Sequence, residues 1–254
     1  MSNRSRNVRN TLLTTIIYVV VIGFVCILLV SRINVEIEKR VIDDTAERAE
    51  LAAVYVDGRF KTELDLLAKA AEIVQVRESG ADYIKYLNNA EKGTASYGIL
   101  KTDGTAHVGQ TLVFSEYPAI LDAFRGNPSV SYNLNGTIIF TVPVYNGQNV
   151  KYVLYKLYSC ETLSENFGFE LGTECTSAMV ADMSENIILD FIDSDYFVRN
   201  DLESTAQNIS KEISMSASAA MRFRNKDGSF CLFAAELAYS DFYLVGVVPY
   251  ENVS

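Results

Sequence analysis

The chain of 254 residues sets 22 Lys and Arg against 32 Asp and Glu, a formal net charge of −10, and 49% of it is hydrophobic. That apolar share can build a core and excludes intrinsic disorder for the bulk of the chain, while the length leaves room for one large domain or two small ones. All four charged residues before position 33 are arginines, so residues 33–254 hold 18 basic against 32 acidic side chains, a net −14 that excludes a nucleic-acid surface of clustered Lys and Arg.

Residues 1–10 form a short tail bearing Arg4, Arg6 and Arg9. Thr11–Ser31 follows as an uncharged, mostly apolar run of 21 residues flanked by arginines. At 1.5 Å per residue it spans the hydrocarbon core of a bilayer as a transmembrane helix. It closes on Ile27-Leu28-Leu29-Val30-Ser31-Arg32 without the small-x-small site of a cleaved signal peptide, so it reads as a retained anchor. Basic residues nearly balance across it. The short leading tail tips the reading to a cytoplasmic N-terminus, with the bulk of the chain exported across the plasma (inner) membrane.

Residues 33–77 read as one long helix free of proline, about 66 Å from Asn34 to Arg77. Gly58 costs it about 1 kcal/mol and marks a bend or a close contact. The richness of Leu51–Val74 in Ala, Leu and Val suits a spine against which two modules stack rather than a bare stalk. Nearer the membrane, Val35, Ile37, Val41 and Ile42 form a narrow apolar stripe suited to a parallel two-helix seam, so a homodimer is expected on the face of Val35, Val41 and Ile42.

Beyond Ser79-Gly80 a helix is expected at Ala81–Glu91, then strands at Ser96–Lys101 and Ala106–Val108 around the Asp103-Gly104 turn. A short helix, Ser115–Phe124, ends at Gly126. Strands Ser129–Leu134, Thr137–Val144 and Val150–Tyr158 are joined by Asn135-Gly136 and Asn146-Gly147, which together predict one antiparallel sheet. Ser164–Thr173 reads as a link. The plan then repeats: Ser177–Ala181, a turn at Met183–Asn186, Ile187–Phe191, a helix at Asp201–Ala219, and strands at Ala220–Arg224, Ser229–Leu237 and Phe242–Pro249.

The chemistry-bearing residues are sparse, and no catalytic, metal or cofactor site is expected. The single His, His107, lies on a predicted strand with no motif supplying a nucleophile and carboxylate, and it reads as structural. Tyr152, Tyr155 and Tyr158 step by three along a strand and so alternate faces. Cys160, Cys175 and Cys231 lack zinc or redox spacing; Cys160 and Cys175 either close a loop or stay free thiols. Asn208-Ile209-Ser210 has the form of a glycosylation sequon, a triplet common by chance.

Three segments carry a family resemblance: Tyr97-Gly98-Ile99-Leu100-Lys101-Thr102-Asp103-Gly104; Phe140-Thr141-Val142-Pro143-Val144-Tyr145-Asn146-Gly147 with Val153-Leu154-Tyr155; and Ser240-Asp241-Phe242-Tyr243-Leu244-Val245-Gly246-Val247-Val248-Pro249. In this order after a membrane helix and a long helix, the chain resembles the extracytoplasmic double-Cache (dCACHE) sensor region of bacterial receptors, over roughly residues 10–254. The resemblance implies an α+β fold with two PAS-like antiparallel-sheet modules, 78–163 membrane-distal and 164–254 membrane-proximal. It implies a small extracellular ligand in the distal module and signalling to an output domain, most readily a GGDEF diguanylate cyclase, with histidine kinase or chemoreceptor as alternatives. A membrane-anchored protein-binding module is the competing function. The family carries a second membrane helix after its closing strand, so the 254 residues are expected to be a fragment, a truncated product or a sensor stub. Compared with the amino-acid-binding version, the stretch Val113-Phe114-Ser115-Glu116-Tyr117-Pro118 keeps a Tyr without Arg or Trp, and Tyr158-Ser159-Cys160-Glu161 lacks the Asp. The expected ligand contacts are Tyr117, Arg125, Tyr132, Thr141 and Tyr145.

Overall fold

The structure, a computed structural model, describes residues 2–76, 80–167, 175–182, 186–193, 195–196, 218–226 and 228–252; of residues 2–16, Val76, Asn225 and Asn252 the backbone alone is considered. Anchor and spine form one helix, α1 (Ser2–Val76), of 75 residues. No proline lies between them to end it. Gly58 does not mark a close contact, since a Cβ there would meet nothing within 4 Å.

The remaining α-helices and strands among the described residues are α2 (Gly80–Ala90), β1 (Ala95–Lys101), β2 (Ala106–Val108), α3 (Ala119–Phe124), β3 (Ser129–Asn133), β4 (Thr137–Asn146), β5 (Asn149–Ser159), α4 (Cys160–Phe167), β6 (Ser177–Asp182), β7 (Ile187–Ile192), β8 (Ser218–Asn225), β9 (Gly228–Glu236) and β10 (Phe242–Pro249). They make two five-stranded sheets of orders β2-β1-β5-β4-β3 and β7-β6-β10-β9-β8, antiparallel at every pairing. The second order repeats the first, strand for strand. Gly104, Gly136 and Gly147 have φ of 82°, 76° and 65°, the left-handed conformation that the three expected Asx-Gly turns require.

One face of α1 is laid against both sheets. Ala49, Ala52, Ala53, Val56, Phe60, Leu64, Leu67, Ala70 and Ala71 recur at helical spacing and are all buried, and the alanines let the backbone approach the strands closely. They share one core with Ile138, Phe140, Val142 and Leu154 of the first sheet and Val180, Phe233, Ala235 and Leu244 of the second. Phe60 stands at the junction, its ring centroid 5.7 Å from Phe140, 6.4 Å from Phe242 and 5.6 Å from Phe167. Polar ties reinforce it. Ala238 N donates to the Asp57 carboxylate at 2.9 Å, Arg59 donates to the Asn166 carbonyl at 3.0 Å, and Arg222 pairs with Glu38 at 3.2 Å while lying 4.0 Å over the Tyr250 ring.

Several expectations need correction. Val41 and Thr45 one turn on are both buried, Thr45 donating to the Val41 carbonyl at 2.6 Å, and α1 packs against β8 and β9, so that face of α1 is used within the chain rather than left for a two-helix seam. The large apolar side chains left outside beyond the anchor on α1 are Ile33, Val35, Ile37, Leu51, Val54, Tyr55 and Leu66. The first part of the supposed link is α4, begun by Ser159 Oγ accepting from Thr162 N at 3.1 Å and held by buried Leu163 and Phe167, four residues apart. The helix expected at Ser115–Phe124 is shortened to α3, with Pro118 at its cap. Ser218 and Ala219, expected in a helix, open β8; the rest of that stretch, the sequon and most of the Met183–Asn186 turn lie outside the described residues. All four cysteines are free, and burial pushes the thiols of Cys160 and Cys175 up to about 11.

Candidate ligand-binding site

The first sheet has two faces, and the hairpin register decides which side chains share one. On the face away from α1, α3 and the segment before it cover Leu100, Ile139, Tyr155 and Leu157, with Leu112, Tyr117 and Ile120 packed over them. The polar groups here satisfy one another. Tyr117 OH and Thr137 Oγ1 lie 2.8 Å apart, Thr141 Oγ1 is 2.9 Å from the Ala119 carbonyl and 3.0 Å from that of Ser129, and Ala119 N donates to Ser131 Oγ at 3.3 Å. Tyr155 reaches across β1 to Gln110, donating to its carbonyl and accepting from its N–H, each at 3.0 Å.

The five expected ligand contacts therefore divide. Tyr117 and Thr141 share this packed face. Arg125 is exposed and pairs with Asp122 at 3.0 Å, and Tyr145 OH donates to the Gly126 carbonyl at 3.4 Å, both at its margin. Tyr132 stands opposite Ile138 in the β3–β4 ladder and packs against the α1 side, so it does not join the other four.

An open cavity of about 400 Å³ lies at the far end of α1. Val74 and Gln75 from the last turns of α1, Gly80 and Ala81 from the start of α2, Ile99 of β1, His107 of β2, Val144 to Asn146 of β4, and Lys151 and Tyr152 of β5 line it. At the start of α2, Gly80 packs closely on α1: a Cβ there would come within 3.1 Å of the Val74 side chain. The β4–β5 hairpin, irregular between Val144 and Tyr145, forms the opposite rim. His107 stacks on Tyr152 with centroids 5.0 Å apart and planes at 14°, and Lys151 Nζ lies 5.1 Å from the centroid of the same ring. The volume falls within the range of small-molecule sites.

No protein-family model matches the chain, and no curated protein sequence does. Solved structures do. The extracellular domain of mmHK1S-Z3, a protein assigned as a histidine kinase, aligns with a TM-score of 0.61 at 16% identity, covering 84% of this chain and 96% of that one. The ligand-binding domain of the Campylobacter jejuni chemoreceptor Tlp3 in complex with L-norvaline aligns at 0.58 and 8% identity, covering 86% and 94%. The corresponding figures for the related domain of mmHK1S-Z2 are 0.58, 14%, 83% and 98%. The fold is double-Cache-like.

Within this double-Cache-like chain the α1-facing side of the first sheet carries a buried ionic cluster. Lys156 of β5 is 3.0 Å from Glu63 of α1 and 2.9 Å from Glu91, which precedes β1. Tyr158 OH donates to Glu63 at 3.0 Å and Tyr97 OH to Glu91 at 2.6 Å. Burial first, then the neighbouring carboxylates, push both phenols above their usual range. The cluster ties α1 to the sheet and leaves its lysine fully engaged.

Sequence reasoning missed both the cluster and the cavity. Lys156 was visible as a single cation within Tyr152-Val153-Leu154-Tyr155-Lys156-Leu157-Tyr158, a run too apolar for a solvated lysine. His107 and Lys151 carry no such signal, because only the β2-β1-β5 strand order brings them to one ring.

Proposed function

We propose that the chain is an extracytoplasmic small-molecule sensor of a membrane receptor, anchored through residues 11–31, with residues 78–163 distal and 164–254 proximal to the membrane. The observation that carries this reading is the continuity of α1. Its side chains from Ile17 to Val30 are apolar and exposed, its middle lies beneath both sheets, and its last turns line the cavity. A molecule bound there touches the same helix that is long and apolar enough to cross a bilayer. The similar structures favour a histidine kinase or chemoreceptor type of receptor and lend nothing to a diguanylate cyclase output. The described residues are assigned binding rather than catalysis.

Two measurements test it. A cysteine placed at Gln148, in the exposed β4–β5 turn, should react with a membrane-impermeant thiol reagent on intact cells; protection until lysis would refute the topology. Thermal unfolding of the full chain in detergent against a panel of small metabolites should find at least one stabilising compound, since a ligand at 100 times its dissociation constant adds about 2.7 kcal/mol. A panel without a single hit would count against the sensor reading.

The exposed apolar side chains of α1 support a parallel homodimer on a face other than the one expected. Leu51, Val54 and Gly58 lie on one side of the helix, away from the buried Ala49, Ala53 and Phe60. Single cysteines at 51, 54 and 58 should crosslink in membranes above the background of the native cysteines, whereas 49, 53 and 60 should not. Equal crosslinking on both faces, or none with monomeric migration, would reject this seam.

A further inference from the structure

The geometry points to the cavity at the end of α1 as a site for a small carboxylate on a short apolar stem. This deepens the sensor reading and rests on it. One cation, Lys151, and one imidazole, His107, reach the cavity, and neither has a carboxylate partner among the described residues: both make ring contacts with Tyr152 and form no ion pair. A second cation, Lys101, stands cross-strand from Tyr152 and is exposed. No Asp or Glu is among the described lining residues, although residues 33–254 are strongly acidic. The two helix ends at the corner oppose each other, with the carbonyl end of α1 beside the N–H end of α2, so the side-chain cations set the sign of the local field. Gln75 and Asn146 add amide donors, while Val74, Ile99, Val144 and the Tyr152 ring form an apolar wall for the stem.

The same lining selects against α-amino acids. An ammonium group entering the cavity would face the Lys151 ammonium with no carboxylate to pair with among the described lining residues, and a desolvated cation without a partner is costly. L-Norvaline, named with the Campylobacter jejuni domain, is therefore the informative contrast: pentanoate is the same carbon skeleton without the amino group.

The full chain in detergent is titrated with pentanoate, L-norvaline and pentylamine, following thermal unfolding and isothermal heats. Pentanoate should raise the melting temperature, norvaline should bind at least tenfold more weakly, and pentylamine should have no effect. K151A and H107A should each weaken pentanoate at least tenfold without changing the ligand-free melting temperature; K151Q serves where the alanine variant does not fold. The proposal is overturned if pentanoate has no effect, if norvaline or pentylamine binds as well, or if the variants bind pentanoate as the parent does. Any of these beside a hit from the metabolite panel would remove this site and leave the sensor reading standing.

Discussion

Replacing Lys156 by Met should destabilise the chain by about 3 to 5 kcal/mol, the usual consequence of removing one member of a buried ion pair. The lysine side chain is only 7% exposed, and its loss leaves Glu63 with a carboxylate 19% exposed and no cation beside it. Glu91 is 35% exposed, so water screens that arm and the Glu63 arm carries most of the effect. Adding Glu63→Gln to the variant should recover a substantial part, because the stranded charge is then gone while the phenol of Tyr158 keeps an acceptor. Thermal and denaturant unfolding of the full chain in detergent measure both. A loss below about 1 kcal/mol for the single variant, or no recovery in the double, would show that the cluster is solvated and does not lock α1 to the sheet.

Gly98→Ala should be nearly as damaging. Gly98 sits on β1 directly across from Tyr155 of β5, and an added Cβ would fall onto the phenol, 2.6 Å from Cε1. That ring cannot swing away, because it is buried and its hydroxyl is held by both backbone groups of Gln110. Overpacking of this kind costs about 1 to 3 kcal/mol. Gly246 faces Phe233 in the second sheet in the same way, with a Cβ 2.8 Å from the ring Cε1 and 2.9 Å from the Ser177 carbonyl. Gly98→Ala combined with Tyr155→Val should unfold less readily than the sum of the two changes predicts. Strict additivity would mean that the glycine is not there to admit the ring.

What the sequence made legible were features with a local cause. The Asx-Gly pairs at 103–104, 135–136 and 146–147 gave hairpins because a left-handed residue is needed where Gly stands. Spacing alone put Tyr155 on one face, with Tyr152 and Tyr158 on the other. The repeat of one plan in two modules was visible from strand order along the chain. The candidate site was poorly legible, since it depends on pairing between distant strands. Tyr132 was grouped with Thr141, although the Asn135-Gly136 hairpin sets Tyr132 opposite Ile138 and Ser129 opposite Thr141, and an odd step separates the two faces. Val41 was misplaced for a related reason: a stripe on a helix shows that something covers it, and only the tertiary fold showed that β8 and β9 are the cover.

The place of β10 in its sheet has a mechanical consequence. The last strand along the chain is the central one, with residues from Phe242 to Val247 paired to β6 and from Tyr243 to Pro249 paired to β9. A force transmitted along the chain at Tyr250 loads both ladders together in shear, whereas an edge strand such as β8 could unzip one bond at a time. The second sheet therefore responds as a block. That block is held to α1 by the exposed ties of Arg222 to Glu38 and Ala238 to Asp57 and by the shared apolar core, so a pull at Tyr250 should strain these contacts before it parts either ladder.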